Sequence, residues 1–162
     1  MTLKATLRAA VFLLAVPGTV LLYAPLGIAA AGFIRPDPSA ALRALAVLAW
    51  GVGLAVSAWV VVAFATRGKG TPAPNAPTTE LVQSGLYRYS RNPMYVGALL
   101  IVLGYPLWFQ SLVLVVFWCA VLLCFHLVIV GYEEPRLARR FGPAWTAYRR
   151  RVPRWLLAGG RT

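Results

Sequence analysis

The chain has 162 residues, of which 60% are hydrophobic and 12% are charged, and its formal net charge is +12. A mean hydropathy of +0.71 is too high for a soluble domain of this length and indicates an integral membrane protein. The positive charge does not indicate a nucleic-acid-binding protein, because most of the basic residues flank apolar runs, where anionic lipid is the nearest partner.

Apolar runs at four places predict membrane-crossing helices, since a crossing needs roughly 20 apolar residues. The runs lie at about 9–33, 44–65, 93–109 and 111–132. The first is interrupted by Pro17 and Pro25 and lacks a cleavage pattern, so we expect a retained, bent helix. The third contains Pro106, which predicts a kink or an early end, and the dipeptide Gln110–Ser111 marks its boundary with the fourth, which predicts a tight helical hairpin.

The basic residues predict the orientation of these helices. All of the 16 Lys and Arg except Arg35 and Arg43 fall on the side of the membrane that holds both termini. The positive-inside rule therefore places both termini in the cytoplasm, and the alanine, arginine and valine usage suggests a bacterial inner membrane. We predict an all-α integral membrane protein, a single domain over 1–162 with four transmembrane helices, a cytoplasmic loop at 66–92 and a cytoplasmic C-terminal segment at 135–162.

The stretch "GLYRYSRNPMYVG", Gly85 to Gly97, predicts the start of the third helix. Asn92 is a favoured N-cap, and Pro93 suits the first helical position. The free N–H groups of that helix start and the guanidinium of Arg91 would form a site for a carboxylate or a phosphate. In the alternative interpretation Arg88 and Arg91 anchor the helix to lipid headgroups, beside an aromatic belt of Tyr87, Tyr89 and Tyr95.

Glu133 and Glu134 are two of only four acidic residues, and they are adjacent at the end of the fourth run. Like charges repel, and a helix C-terminus disfavours anions, so a cation is expected to compensate them. The candidates are a cationic ligand or the nearby Arg136, Arg139 and Arg140. Pro135 is expected to end the helix directly after the pair.

His126 precedes Glu133 by two helical turns, so both side chains are expected to face one cavity. The alternative is a neutral histidine that is hydrogen-bonded between helices. Cys119 and Cys124 are interpreted as apolar packing residues, and no metal site is predicted, because neither cysteine has metal-ligand spacing to His126.

After Pro135 an apolar stripe at helical spacing predicts an interfacial amphipathic segment. The stripe consists of Leu137, Phe141, Trp145 and Tyr148. Gly142 and Pro143 interrupt it, which predicts two short helices, and "RRRVPRW" after it is interpreted as a lipid-facing basic tail.

Three segments, "GTPAP", "LVQSGLYRYSRNPMYVG" and "YEEPRLARRFGPAWTAYRRRVPRW", together resemble the integral-membrane isoprenylcysteine carboxyl methyltransferase and phospholipid methyltransferase superfamily. The resemblance implies that S-adenosylmethionine is the methyl donor. It also implies that Gly85, Tyr87, Arg91, Asn92, Pro93, Tyr95, Gly97, Glu133 and Glu134 bind this cofactor. The prenylcysteine branch usually has histidine at the place of Asn92, and asparagine there is similar to the phospholipid branch and to many bacterial relatives.

The resemblance therefore implies methyl transfer to a lipid-like or apolar acceptor at the cytoplasmic face, with membrane lipids as partners and no nucleic acid. A carboxylate acceptor needs only a basic contact such as Arg91, whereas an amine acceptor must lose a proton to a base such as Glu134 or His126. These three are the candidate catalytic residues. Two alternatives remain open: an oxidoreductase that is similar to steroid reductases and uses NADPH, and a non-catalytic four-helix membrane protein or transporter.

Overall fold

The computed structural model describes residues 17–34, 39–67 and 81–155, and within these ranges it contains helices and no strand. This confirms the predicted all-α class. The helices are α1 (Thr19–Ala30), α2 (Ala40–Arg67), α3 (Pro93–Phe109), α4 (Leu112–Val128) and α5 (Glu134–Arg151). A 3₁₀ turn, Gly85–Arg88, precedes α3.

Two helical stretches are long and apolar enough to cross a bilayer. They are Ala40–Phe64, with a mean hydropathy of 2.2, and the continuous Leu112–Arg151, whose most apolar part reaches 3.0; α1 and α3 are apolar but shorter. Large apolar side chains on α2 and α4 are exposed, for example Leu48 at 61% and Val116 at 62%. Such surfaces are costly in water and suit hydrocarbon, as expected of a membrane protein.

Cys119 and Cys124 belong to the exposed surface of α4. Their predicted role as packing residues inside the protein is therefore wrong. The physical reason is that an apolar residue of a membrane helix is equally stable against lipid, so an apolar character does not reveal which side of the helix faces the protein.

Helix α3 has the predicted ends, and it is followed by the predicted hairpin. Gln110 adopts a left-handed φ of 48° at the connection. The buried Ser111 hydroxyl then accepts a bond from the Leu114 N–H at 3.4 Å, as an N-cap does for α4. Pro106 lies within α3 and the helix continues to Phe109, so no early end occurs at this proline.

The predicted helix end at Pro135 is wrong, because a π-turn absorbs the proline. Residues Ile129–Glu133 form this wider turn, in which the Glu134 N–H donates to the Ile129 carbonyl five residues before. A proline ring clashes with the carbonyl four residues before it, and a wider turn relieves that clash. The same arrangement precedes Pro25, after the π-turn Thr19–Tyr23. The helix consequently continues through Glu134 to Arg151.

The predicted interruption at Gly142 is confirmed. This residue has φ 49° and ψ −122°, so α5 consists of two helical pieces that meet at a kink. A positive φ is accessible to glycine at little cost, and Pro143 suits the first turn of the second piece.

The described residues fall into two compact units, one within 1–51 and 99–122 and the other within 52–98 and 123–162. In the first, the Trp50 indole N–H donates to the Ile101 carbonyl at 3.0 Å, and its ring contacts Tyr105. The second contains all of the predicted site residues.

Candidate functional site

The loop before α3 is fixed by two aromatic contacts. Gly85 has a φ of 61°, and a Cβ at this position would overlap the ring of Trp59. Tyr87 is buried with Val60 and Val82, and its carbonyl accepts a 2.7 Å bond from the Tyr148 hydroxyl of α5. Burial, together with nearby Tyr148 and Glu133, raises the pKa of the Tyr87 phenol, so this side chain remains neutral and is not a base.

Replacing Tyr148 by phenylalanine is expected to lower the free energy of unfolding by about 1–3 kcal/mol, because the buried Tyr87 carbonyl loses its donor. Thermal unfolding of the purified protein in detergent would measure this. Tyr89→Phe on the same loop is the matched control, since Tyr89 is 65% exposed. Equal shifts for the two variants would show that the hydrogen bond does not hold the loop.

The start of α3 is held by the extended segment Val152–Trp155, which we call the C-terminal strap. The Arg91 N–H donates to the Pro153 carbonyl at 2.9 Å. The side chains of Ser90 and Asn92 donate to the Arg154 carbonyl at 3.1 and 3.2 Å. Asn92 also accepts the first helical bond through its carbonyl, from Val96, which confirms the predicted start, with Pro93 as the first residue of α3. The Asn92 amide therefore binds the strap, a role that the sequence did not indicate.

Glu134 lies between two arginines. One of its oxygens is 2.9 Å from Arg91 Nη1, and Arg154 donates to both oxygens, at 2.8 and 3.0 Å. The Glu134 side chain is only 8% exposed. We call these three residues the Arg–Glu–Arg cluster. The cations that compensate Glu134 are therefore Arg91 and Arg154. Of the three arginines considered from the sequence for the glutamate pair, Arg136 interacts electrostatically with Glu133.

Arg91 has unsatisfied hydrogen-bonding capacity in this cluster. Its side chain is 7% exposed, and its guanidinium lies 5.5 Å from the ring centroid of Trp145. Among the described residues, the buried Arg91 Nε and Trp145 indole nitrogen have no hydrogen-bond partner, and Arg91 Nη1 faces Glu134 as an ion pair without hydrogen-bond geometry. Burial lowers the pKa of Arg91 and Glu134 opposes this, but a guanidinium remains protonated.

The cluster therefore holds two positive charges and one negative charge, with buried donors that lack an acceptor. Buried donors are normally satisfied, and an unsatisfied one is costly. An anionic group would satisfy both the donors and the charge, so this is a candidate anion site.

Glu133 has a different environment from Glu134. The Tyr95 hydroxyl donates to its carboxylate, and the Tyr95 ring contacts Phe125 at 4.8 Å. Glu133 is half-buried. The structure thus separates the two adjacent glutamates: Glu134 is neutralised within the protein, and Glu133 has a neutral hydrogen-bond donor and remains a candidate cation site.

Two predicted site residues have packing contacts. The His126 ring stacks on Trp155 of the strap, with centroids 6.4 Å apart. Glu133, which was expected to face the same cavity as His126, has a different partner, the Tyr95 hydroxyl. Gly97 is buried where α3 contacts α2, and a Cβ there would lie 2.7 Å from the Ser57 hydroxyl. Gly97 therefore allows a close helix contact, and its position gives no support to the predicted cofactor contact.

Arg154 and Trp145 are the site residues that sequence reasoning missed. The interpretation of Arg154 as part of a lipid-facing tail is wrong, because its guanidinium binds Glu134. The amphipathic stripe packs largely within the protein, where Trp145 and Tyr148 are 3% and 2% exposed and Leu81 contacts the same cluster. The sequence contained one indication of Arg154, namely that two adjacent carboxylates require countercharge from somewhere in the chain or from a ligand.

Comparison with known protein families identifies a match. The family model described as phospholipid methyltransferase matches residues 39–144. This range contains the loop before α3, the start of α3 and both glutamates, and it ends before the strap. No curated protein and no solved structure matches the chain.

Proposed function

The chain belongs to the phospholipid methyltransferase family, and from this premise we propose that it transfers a methyl group from S-adenosylmethionine to a lipid-like acceptor. Family membership implies a membrane methyltransferase. We propose in addition the identity of the methyl donor, the class of acceptor and the cytoplasmic location of the site. The observation that carries it is the set of buried Arg91 and Trp145 donors that have no hydrogen-bond partner among the described residues, together with the separate carboxylate of Glu133.

The chemistry of these residues fits the proposed donor, which has a carboxylate, an ammonium and a sulfonium group. The unpaired donors of Arg91 and Trp145 match the carboxylate. Glu133 matches a cationic group of the same molecule, because its hydrogen-bond partner Tyr95 is neutral and Arg136 interacts with it only electrostatically. When bound, the donor supplies a methyl group that is activated for displacement.

Such a displacement requires alignment and exclusion of water more than acid–base catalysis. In such a reaction the cluster would hold one end of the donor and Glu133 a positive end. The buried ring of Trp145 and the paired rings of Tyr95 and Phe125 would help to exclude water. No titratable side chain is required for a carboxylate acceptor, which is already ionised at neutral pH.

An amine acceptor, as in a phospholipid headgroup, must be deprotonated before it accepts the methyl group. Of the two candidate bases, Glu134 is engaged by two guanidiniums, which leaves His126, half-buried against Trp155. We propose the site at the cytoplasmic face, with both termini on that side, from the distribution of Lys and Arg. Family membership argues against the oxidoreductase and the non-catalytic alternatives.

Replacing Glu133 by glutamine tests this proposal directly. Loss of one charged contact to a cationic ligand is expected to weaken S-adenosylmethionine binding roughly tenfold to hundredfold, as measured by calorimetry in detergent. Tyr95→Phe is the control, because it keeps the Glu133 carboxylate and is expected to have a smaller effect. Unchanged affinity in the Glu133 variant, or binding of NADPH in place of S-adenosylmethionine by the unaltered protein, would contradict the proposal.

A further inference from the structure

Arg154 lies beyond the range that matches the family, and yet its side chain is central to the anion site. Its guanidinium makes a fork with Glu134, Nε to one oxygen at 2.8 Å and Nη2 to the other at 3.0 Å. Such two-point contacts fix the carboxylate in one orientation. The nearer oxygen is shared with Arg91, whose Nη1 lies 2.9 Å from it.

This arrangement determines which hydrogen-bond donors of Arg91 remain free for a ligand. If Arg154 did not occupy both oxygens, the guanidinium of Arg91 could form the same fork with Glu134, and the pair would be neutral. With Arg154 present, Arg91 keeps Nε without a partner, and the cluster carries an excess positive charge.

We propose that Arg154 is a positioning residue: by holding both oxygens of Glu134 it reserves Arg91 for an anionic group of the methyl donor, its carboxylate. This inference rests on the proposed function, because it assigns the carboxylate of S-adenosylmethionine to the site. Arg154 does not contact the donor; it acts through Glu134 and Arg91.

The side chain of Arg154 can be removed without removing the strap. The strap is tied to the loop through the backbone carbonyls of Pro153 and Arg154, which accept bonds from Arg91, Ser90 and Asn92. Arg154→Ala keeps these carbonyls, and it leaves Glu134 and Arg91 as a neutral pair. The variant is therefore expected to fold.

The test measures the affinities of two ligands by calorimetry in detergent: S-adenosylmethionine and decarboxylated S-adenosylmethionine, which lacks only the carboxylate. The unaltered protein is expected to prefer the first. Arg154→Ala is expected to weaken S-adenosylmethionine binding roughly tenfold or more and to leave the decarboxylated ligand nearly unchanged. Arg154→Lys keeps the charge and is expected to recover part of the preference. Arg150→Ala, at an exposed arginine of α5, is the matched control and is expected to behave as the unaltered protein does.

The outcomes separate the inference from the proposed function. An equal loss for both ligands in Arg154→Ala would mean that the residue only supports the fold, and no loss for either would mean that it is irrelevant to the site; both results overturn the inference and leave the proposed function standing. If the unaltered protein binds neither ligand, the proposed function fails, and the inference fails with it.

Discussion

Glu134→Gln is expected to abolish methyl transfer and to reduce stability markedly. The carboxylate is 8% exposed and is shared by two guanidiniums, so its removal leaves Arg91 and Arg154 facing each other without countercharge. Removing one partner of a buried ion pair costs about 3–5 kcal/mol, and the lower end applies here because Arg154 is 26% exposed. Thermal unfolding in detergent and donor binding by calorimetry would measure the two effects.

Glu133→Gln is the natural control, since it changes the adjacent residue in the same way. It is expected to weaken donor binding but to preserve most of the stability, because Glu133 is bound by the neutral Tyr95 hydroxyl and interacts with a single arginine, Arg136, whereas Glu134 is bound by two guanidiniums. Combining Glu134→Gln with Arg154→Gln removes one excess charge and is expected to recover part of the stability without restoring donor binding. If Glu134→Gln unfolds at the same temperature as the unaltered protein, the cluster does not have the structural role assigned to it.

Gly85→Ala is expected to produce the second large effect, a loss of roughly 2–5 kcal/mol in the free energy of unfolding. A left-handed φ of 61° is unfavourable for alanine by roughly 1–2 kcal/mol. The added methyl group would also overlap the ring of Trp59, and overpacking of this kind costs about 1–3 kcal/mol. Trp59 is held against Tyr87, so the ring has little freedom to move.

The overlap and the backbone strain can be separated by a second substitution. Trp59→Leu in the Gly85→Ala background is expected to recover the overlap part and to leave the backbone part, as measured by thermal unfolding. Gly131→Ala is the matched control, because no atom of the described residues lies within 4 Å of a Cβ there. Equal destabilisation by Gly85→Ala and Gly131→Ala would contradict the packing of the loop before α3.

The sequence predicted local features of the fold well, because residues with strong preferences for helix caps, turns and kinks determine them. Asn92 and Pro93 gave the start of α3, Gln110 and Ser111 gave the hairpin, and Gly142 gave the kink in α5. The prediction from Pro135 was wrong, because a proline occurs both after the end of a helix and after a π-turn within a continuous helix, and the local sequence does not distinguish the two.

The candidate site was predicted only in part, because its key contacts join residues that are distant in sequence. Arg91, Glu133 and Glu134 were identified from their unusual positions, but eight arginines follow the fourth apolar run and nothing local distinguishes Arg154 from the rest. The place of Gly97 in the motif suggested a ligand contact, and the structure adds a packing role that the sequence did not indicate, the close approach of Ser57. Only the packing of the chain reveals which charges meet.

The central claim is that this protein transfers methyl groups from S-adenosylmethionine to a lipid-like acceptor. Incubation of the purified protein with methyl-labelled S-adenosylmethionine and a bacterial lipid extract, followed by mass spectrometry of the lipid fraction, tests it most directly. Label is expected in a lipid product with the unaltered protein, and none is expected with Glu134→Gln. Donor binding without label in any fraction would contradict it.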